Sequence, residues 1–141
     1  MASSVEVLLL SEEQLRGEFV DKGEWRLPPN GLVYSIDGPF FFGAVENFER
    51  ALAQTHTDPR WLIIRLDQVP FMDITGLQTL EEVIRNLRKR GIIVLLTEAN
   101  ARVHGKLEKA GILHQLGSKR YFADFAQAVL EINSTLAVDV S

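Results

Sequence analysis

Trp61-Leu62-Ile63-Ile64-Arg65-Leu66 is followed, one residue on, by Gln68-Val69-Pro70-Phe71-Met72-Asp73-Ile74-Thr75-Gly76-Leu77. A nearly continuous apolar run of this kind suits a strand covered on both faces. The chain then closes on Asp-x-Thr-Gly and opens at once into an amphipathic helix. From about Gly76 to Arg90, Leu77, Leu80, Ile84 and Leu87 form one stripe, with Glu81, Glu82, Arg85, Arg88 and Lys89 opposite. Gly91 stops this helix after basic residues that suit the negative end of its dipole. Ile92 to Leu96 is a second buried strand. Strand, helix and strand in that order define a parallel pair with a crossover, the unit of an α/β layer fold.

The flanking sequence extends the same alternation. Leu32 to Asp37 alternates β-branched and aromatic residues and is stopped by Gly38-Pro39. From Ala44, Val45, Phe48 and Leu52 fall at helical spacing up to Thr55-His56-Thr57-Asp58-Pro59. Asn100 caps a third helix carrying Val103, Leu107 and Ala110, ended by Gly111. A short strand at Tyr121 and Phe122 precedes a last helix from Asp124, with Phe125, Val129 and Ile132 inward. The expected architecture is a central, mostly parallel sheet of four to five strands flanked by about four helices. Val5 to Leu10 has the form of a short strand and Ser11-Glu12-Glu13-Gln14 that of a capping box, but residues 1–30 lack sustained periodicity and hold paired prolines. They read as a lead-in, with the domain at 31–141.

At 141 residues, with 46% hydrophobic and 24% charged residues, the chain fits one globular domain with one core. It has no cysteine, which removes disulfides, thiolate zinc sites and thiol catalysis. The net charge of −4, without a dense Lys/Arg stripe, lacks the footprint of a nucleic-acid binder. No apolar run reaches the roughly 18 residues of a membrane span. This chain is expected to insert in no membrane by itself.

Catalytic chemistry finds little support. His56, His104 and His114 lie on different elements without metal-ligand spacing, and no serine stands in a G-x-S-x-G turn. Nucleotide cradles of the G-x-G-x-x-G and P-loop types are absent. Asp37, Asp67 and Asp73 lie near strand ends, yet the adjacent acidic pair of a Mg²⁺ receiver pocket is missing, and turn chemistry accounts for each. Neither catalytic nor metal-binding residues are expected. Two features remain open. Thr75-Gly76-Leu77-Gln78 matches S/T-x-x-Q, so Thr75 can cap the helix, while the same turn can receive an anion or a partner. Phe40, Phe41 and Phe42 cannot all point inward from a strand. Either residues 1–30 or the last helix cover them, or they dock another domain.

The run Gly31-Leu32-Val33-Tyr34-Ser35-Ile36-Asp37-Gly38-Pro39-Phe40-Phe41-Phe42-Gly43, followed by Asp73-Ile74-Thr75-Gly76, resembles the STAS domain, the sulfate-transporter and anti-sigma-antagonist module. Gly-Pro-Phe-Phe-Phe-Gly is most similar to the cytoplasmic C-terminal domain of SulP anion transporters. The match runs from about residue 31 to 132. It implies a non-catalytic regulatory domain on the cytoplasmic side of the cell membrane, beneath a transmembrane domain that moves sulfate, bicarbonate or an organic anion. That transmembrane domain is the implied partner, with another cytoplasmic protein and a homodimer of the full-length transporter also allowed. Residues 1–30 would be the tether from the last span. In the anti-sigma antagonists the residue after the aspartate is a phosphorylated serine; here it is Ile74, with Thr75 next. The alternatives are a stand-alone switch phosphorylated on Thr75 and a nucleotide-sensing domain; otherwise no cofactor is expected. The expected working surface is Asp73, Ile74, Thr75 and Gly76 with Gln78, Glu81, Glu82 and Arg85.

Overall fold

A computed structural model describes residues 6–9, 27–37, 50 and 59–140. Their strands form one five-stranded sheet in chain order: β1 (Glu6–Leu9), β2 (Gly31–Asp37), β3 (Trp61–Gln68), β4 (Ile93–Thr97) and β5 (Tyr121–Phe122). The β1–β2 pair is antiparallel and the three following pairs are parallel. The segment read as a lead-in therefore contributes an edge strand, because Val7 and Leu8 pair with Ile36 and Ser35. The helices are α1 (Ile74–Lys89), α2 (Ala101–Lys109), α3 (Ile112–Leu116) and α4 (Phe125–Val140). Of the predicted helix from Ala44, Arg50 alone is among the described residues, and it is helical.

Sequential strand order has a consequence for the layers. Right-handed crossovers that all step in one direction put their helices on one face of the sheet. The side chains agree: Tyr34, Ile36, Leu62, Ile64 and Leu66 pack with Leu80, Val83 and Ile84 of α1, Val103 and Leu107 of α2, and Ile112 and Leu116 of α3. The alternate residues Val33, Trp61, Ile63 and Leu95 pack against Phe125, Ala128, Val129 and Ile132 of α4. A period of two thus feeds two cores from the same strands. No helix among the described residues is long and apolar enough to cross a membrane.

Tyr34 is fully buried in the first of these cores, and burial pushes its phenol from 10 up to about 12. Between those values the folded chain keeps a proton that the unfolded chain has released, so stability falls as the pH rises. The contribution is intact below about pH 10 and is lost through about pH 12, amounting to roughly 2–3 kcal/mol. Urea unfolding across this alkaline range should show the loss for the parent chain and a much smaller one for Tyr34→Phe. Equal losses in both would assign the alkaline transition to other groups.

Candidate functional site

Every element that frames the Asp-x-Thr-Gly turn holds it by a specific bond. Beyond β3 the chain turns as the Val69 N–H donates to the Leu66 carbonyl at 3.1 Å. Asn100, the N-cap of α2, donates its amide to the carbonyls of Val69 and Pro70 at 3.3 and 3.2 Å, while its oxygen accepts from the Val103 N–H at 2.8 Å. Lys106, further along α2, donates to the Met72 carbonyl at 2.8 Å. The loop from Val69 to Asp73 is therefore stapled to α2 at three carbonyls. Backbone polar groups that would otherwise need water are satisfied, which favours a fixed turn.

The cap differs from the sequence reading. Asp73, not Thr75, is the N-cap of α1: its carboxylate accepts the Gly76 N–H at 2.8 Å and its carbonyl accepts the Leu77 N–H at 2.9 Å. An N-cap side chain reaches the amide three residues on, and aspartate does this better than threonine. Helix α1 accordingly begins at Ile74. Thr75 lies in its first turn, exposed, with its hydroxyl not used for capping.

Ile74 is 73% exposed and Phe71 is 44% exposed, so two large apolar side chains flank the capping aspartate in water. Ile74 opens onto a groove of about 310 Å³ lined also by Leu77, Gln78 and Glu81 of α1 and by Ala110 and Ile112 beyond α2. Ala110 does not continue the apolar stripe of α2: it is the C-cap, exposed, and forms part of the groove wall. The left-handed Gly111 then turns the chain into α3, a helix that the sequence reading lacks. Gly76 is buried; Glu82 is exposed and outside the groove lining. Arg85 is exposed and pairs with Glu81 at 3.7 Å, an i,i+4 contact of the kind worth a few tenths of a kcal/mol. Of the predicted surface, the structure brings Ile74, Gln78 and Glu81 into one concavity, with Asp73 as their structural anchor. Phe40, Phe41 and Phe42 lie outside the described residues.

A second polar cluster stands at the same end of the sheet. Arg65, 5% exposed, donates from Nε and Nη2 to the two carboxylate oxygens of Glu98 at 2.7 and 2.8 Å, and its guanidinium lies 4.5 Å from the centre of the Phe125 ring. The fully buried Thr97 hydroxyl donates to the same carboxylate at 2.8 Å. The sequence reading lacks this cluster. Its signal is the arginine at position 65, since a charge inside an apolar strand needs a paired partner. His104 packs at 4.9 Å on the ring of Tyr121, whose hydroxyl accepts the Ala99 N–H at 3.1 Å. Desolvation raises the Tyr121 phenol pKa, opposed by the bond from Ala99. Among the described residues no group of three His, Asp or Glu could hold a metal ion.

The chain is a member of the STAS domain family, whose model matches residues 24–128. It is similar to the STAS domain of a SulP transporter from Vibrio cholerae, with 42% identity, a TM-score of 0.76, and coverage of 90% of this chain and 99% of that one. A sulfate transporter family protein from Wolinella succinogenes is 31% identical, with a TM-score of 0.72 and coverage of 79% and 92%. The bicarbonate transporter BicA from Synechocystis is 24% identical over 127 residues, which are 88% of this chain and 21% of that protein. The chain spans about a fifth of the length of the curated relatives it matches, 18% in one case and 21% in another.

Proposed function

We propose that this chain is a non-catalytic cytoplasmic regulatory and interaction domain of a SulP-type secondary anion transporter. The carrying observation is its 42% identity to a SulP transporter STAS domain over 99% of that domain. Its working surface is the corner of Asp73, Ile74, Thr75 and Gly76 with the flank of α1 at Gln78, Glu81, Glu82 and Arg85. Ile74, at the position where the antagonists carry their phosphoserine, offers an apolar side chain that is 73% exposed. A stapled corner with isoleucine at that position suits standing contact with the transmembrane domain or another cytoplasmic protein better than a switch. Residues 1–30 lead in from the membrane domain, and sulfate, bicarbonate or an organic anion is the transported species.

The test uses the full transporter. Asp73→Asn keeps a side-chain cap and removes the charge, while Asp73→Ala also loses about 1 kcal/mol of capping. Asp73→Asn combined with Glu82→Gln should lower anion uptake while leaving surface expression unchanged. Normal uptake would remove this surface from the working site.

A second reading is favoured by one observation: with Asp73 as the cap, the Thr75 side chain is exposed in the first turn of α1. A phosphate there would meet the positive end of the helix. Intact mass after incubation with a cognate kinase decides it, and no added phosphate on Thr75 ends it. Nucleotide sensing would appear as amide shifts around Thr75 on titration with ATP or GTP.

A further inference from the structure

We infer that the groove between α1 and the α2–α3 turn receives an amphipathic helix of a partner protein whose apolar ridge is bordered by carboxylates. The inference rests on the docking-corner reading above and adds the chemistry of what docks. The shape argument comes first. Ile74, Leu77, Ala110 and Ile112 make an apolar trough between helical walls, the setting in which a helix lays down residues at i, i+3, i+4 and i+7. Ile74 is exposed at its mouth, and covering it removes a large apolar side chain from water.

Charge supplies the partner's sign. The whole chain carries −4, yet from Glu81 to Arg120 nine Lys or Arg residues stand against four acidic ones, Glu81, Glu82, Glu98 and Glu108, a local net of +5. Glu98 is already held by Arg65. The linear sequence shows no basic stripe because helical geometry assembles it. Arg102, Lys106 and Lys109, at i, i+4 and i+7, project within about 60° of one another around α2. Lys106 fixes the direction of that stripe, since its ammonium reaches the Met72 carbonyl beside Asp73. All three are exposed. Arg102 and Lys109 make no hydrogen bond or ion pair among the described residues. On the opposite wall Glu81 is countered by Arg85 at 3.7 Å. The basic stripe runs along α2 up to Ala110, which lines the groove, while the α1 wall carries the locally neutral Glu81–Arg85 pair. Carboxylates flanking an apolar ridge complement this stripe, steer the encounter and exclude basic competitors. A flat anionic lipid surface matches the charge but leaves the concavity unfilled.

The probe is a short stapled helix with leucines on one face and glutamates flanking them, titrated into this chain while backbone amide shifts are followed. A matched helix with lysines in place of the glutamates and vesicles containing phosphatidylglycerol serve as the other arms. Shifts are expected around Ile74, Leu77, Gln78, Ala110 and Ile112 with the acidic helix only. Ile74→Ser and, separately, Arg102→Glu with Lys109→Glu should each weaken binding at least about tenfold. Lys106 is left intact because it staples the corner. Equal binding of the lysine helix, shifts elsewhere, or binding of vesicles without the helix would overturn the inference. Because this readout needs no transport, loss of the uptake phenotype and loss of helix binding are separately visible.

Discussion

Arg65→Ala should lower the unfolding free energy by about 3 kcal/mol or more, the range seen when one member of a buried ion pair is removed. Arg65 is 5% exposed and the Glu98 side chain 18% exposed, so truncation leaves a largely desolvated carboxylate with only the Thr97 hydroxyl as partner among the described residues. The guanidinium also packs at 4.5 Å on the Phe125 ring, so the change opens a gap between β3 and α4. Glu98 sits at φ 67°, a left-handed backbone rarely adopted outside glycine, and the bidentate pair holds that turn two residues before Asn100. Amide exchange should therefore quicken at Val103 and Gly76 as well as near the substitution. The triple change Arg65→Met, Thr97→Val and Glu98→Leu should recover much of the loss, because apolar replacement of a whole buried polar unit is often neutral or better, and Val in place of Thr97 leaves no buried hydroxyl without its acceptor. Urea unfolding of the parent and both variants measures it. A loss below about 1 kcal/mol for Arg65→Ala would place the pair among weak surface contacts.

Gly31→Ala is the second large effect. Gly31 and Trp61 are register partners on adjacent parallel strands, and a Cβ built on Gly31 overlaps the Trp61 indole. The indole is 1% exposed, donates to the Pro29 carbonyl at 3.3 Å, and packs in the core with Phe125 and Val129. It cannot swing aside without vacating that core. Overpacking typically costs about 1–3 kcal/mol, and a clash with the largest side chain in the cluster belongs at or above the top of that range. Trp61→Leu should destabilise the parent chain yet cost less in the Gly31→Ala background, giving a coupling energy of about 1 kcal/mol or more. Additive effects would mean that the indole has another place to go.

These two sites also mark where reading the sequence succeeds and stops. The apolar runs of β3 and β4, the stripe of α1, the Asn100 cap and the inward Phe125, Val129 and Ile132 are legible, because each is written in local periodicity or in a single capping residue. The strand at Glu6–Leu9 has the right composition, but its membership of the sheet depends on pairing with β2, which lies more than twenty residues away. The α1 cap is misread from sequence because two overlapping signals compete: Thr75 with Gln78, and Asp73 with the Gly76 amide. The structure follows the stronger capping residue. Helix α3 is five residues long and too short to show a period.

For the candidate site, the residues on α1 can be named from sequence, since they follow one motif. Their opposite wall cannot. Ala110 and Ile112 come to Ile74 only through the left-handed turn at Gly111, and Lys106 comes to Met72 across 34 positions. Arg65 can be flagged as a charge in need of a partner, but nothing local selects Glu98.

The division of the strands into two cores makes their completion depend on different parts of the chain. The face that holds Tyr34 of β2 and Leu62, Ile64 and Leu66 of β3 gains its covers α1 to α3 as the chain lengthens. The face with Trp61, Ile63 and Leu95 depends on residues 122–136 for nearly all of its described cover, apart from Leu27 and Ile93. Until α4 docks, the face with Tyr34 and Ile64 has its described cover while the face with the Trp61 indole lacks most of its own. Such half-covered sheets associate with whatever apolar surface is near. Docking of α4, rather than formation of the sheet, is the step that takes this second apolar face out of reach of its neighbours.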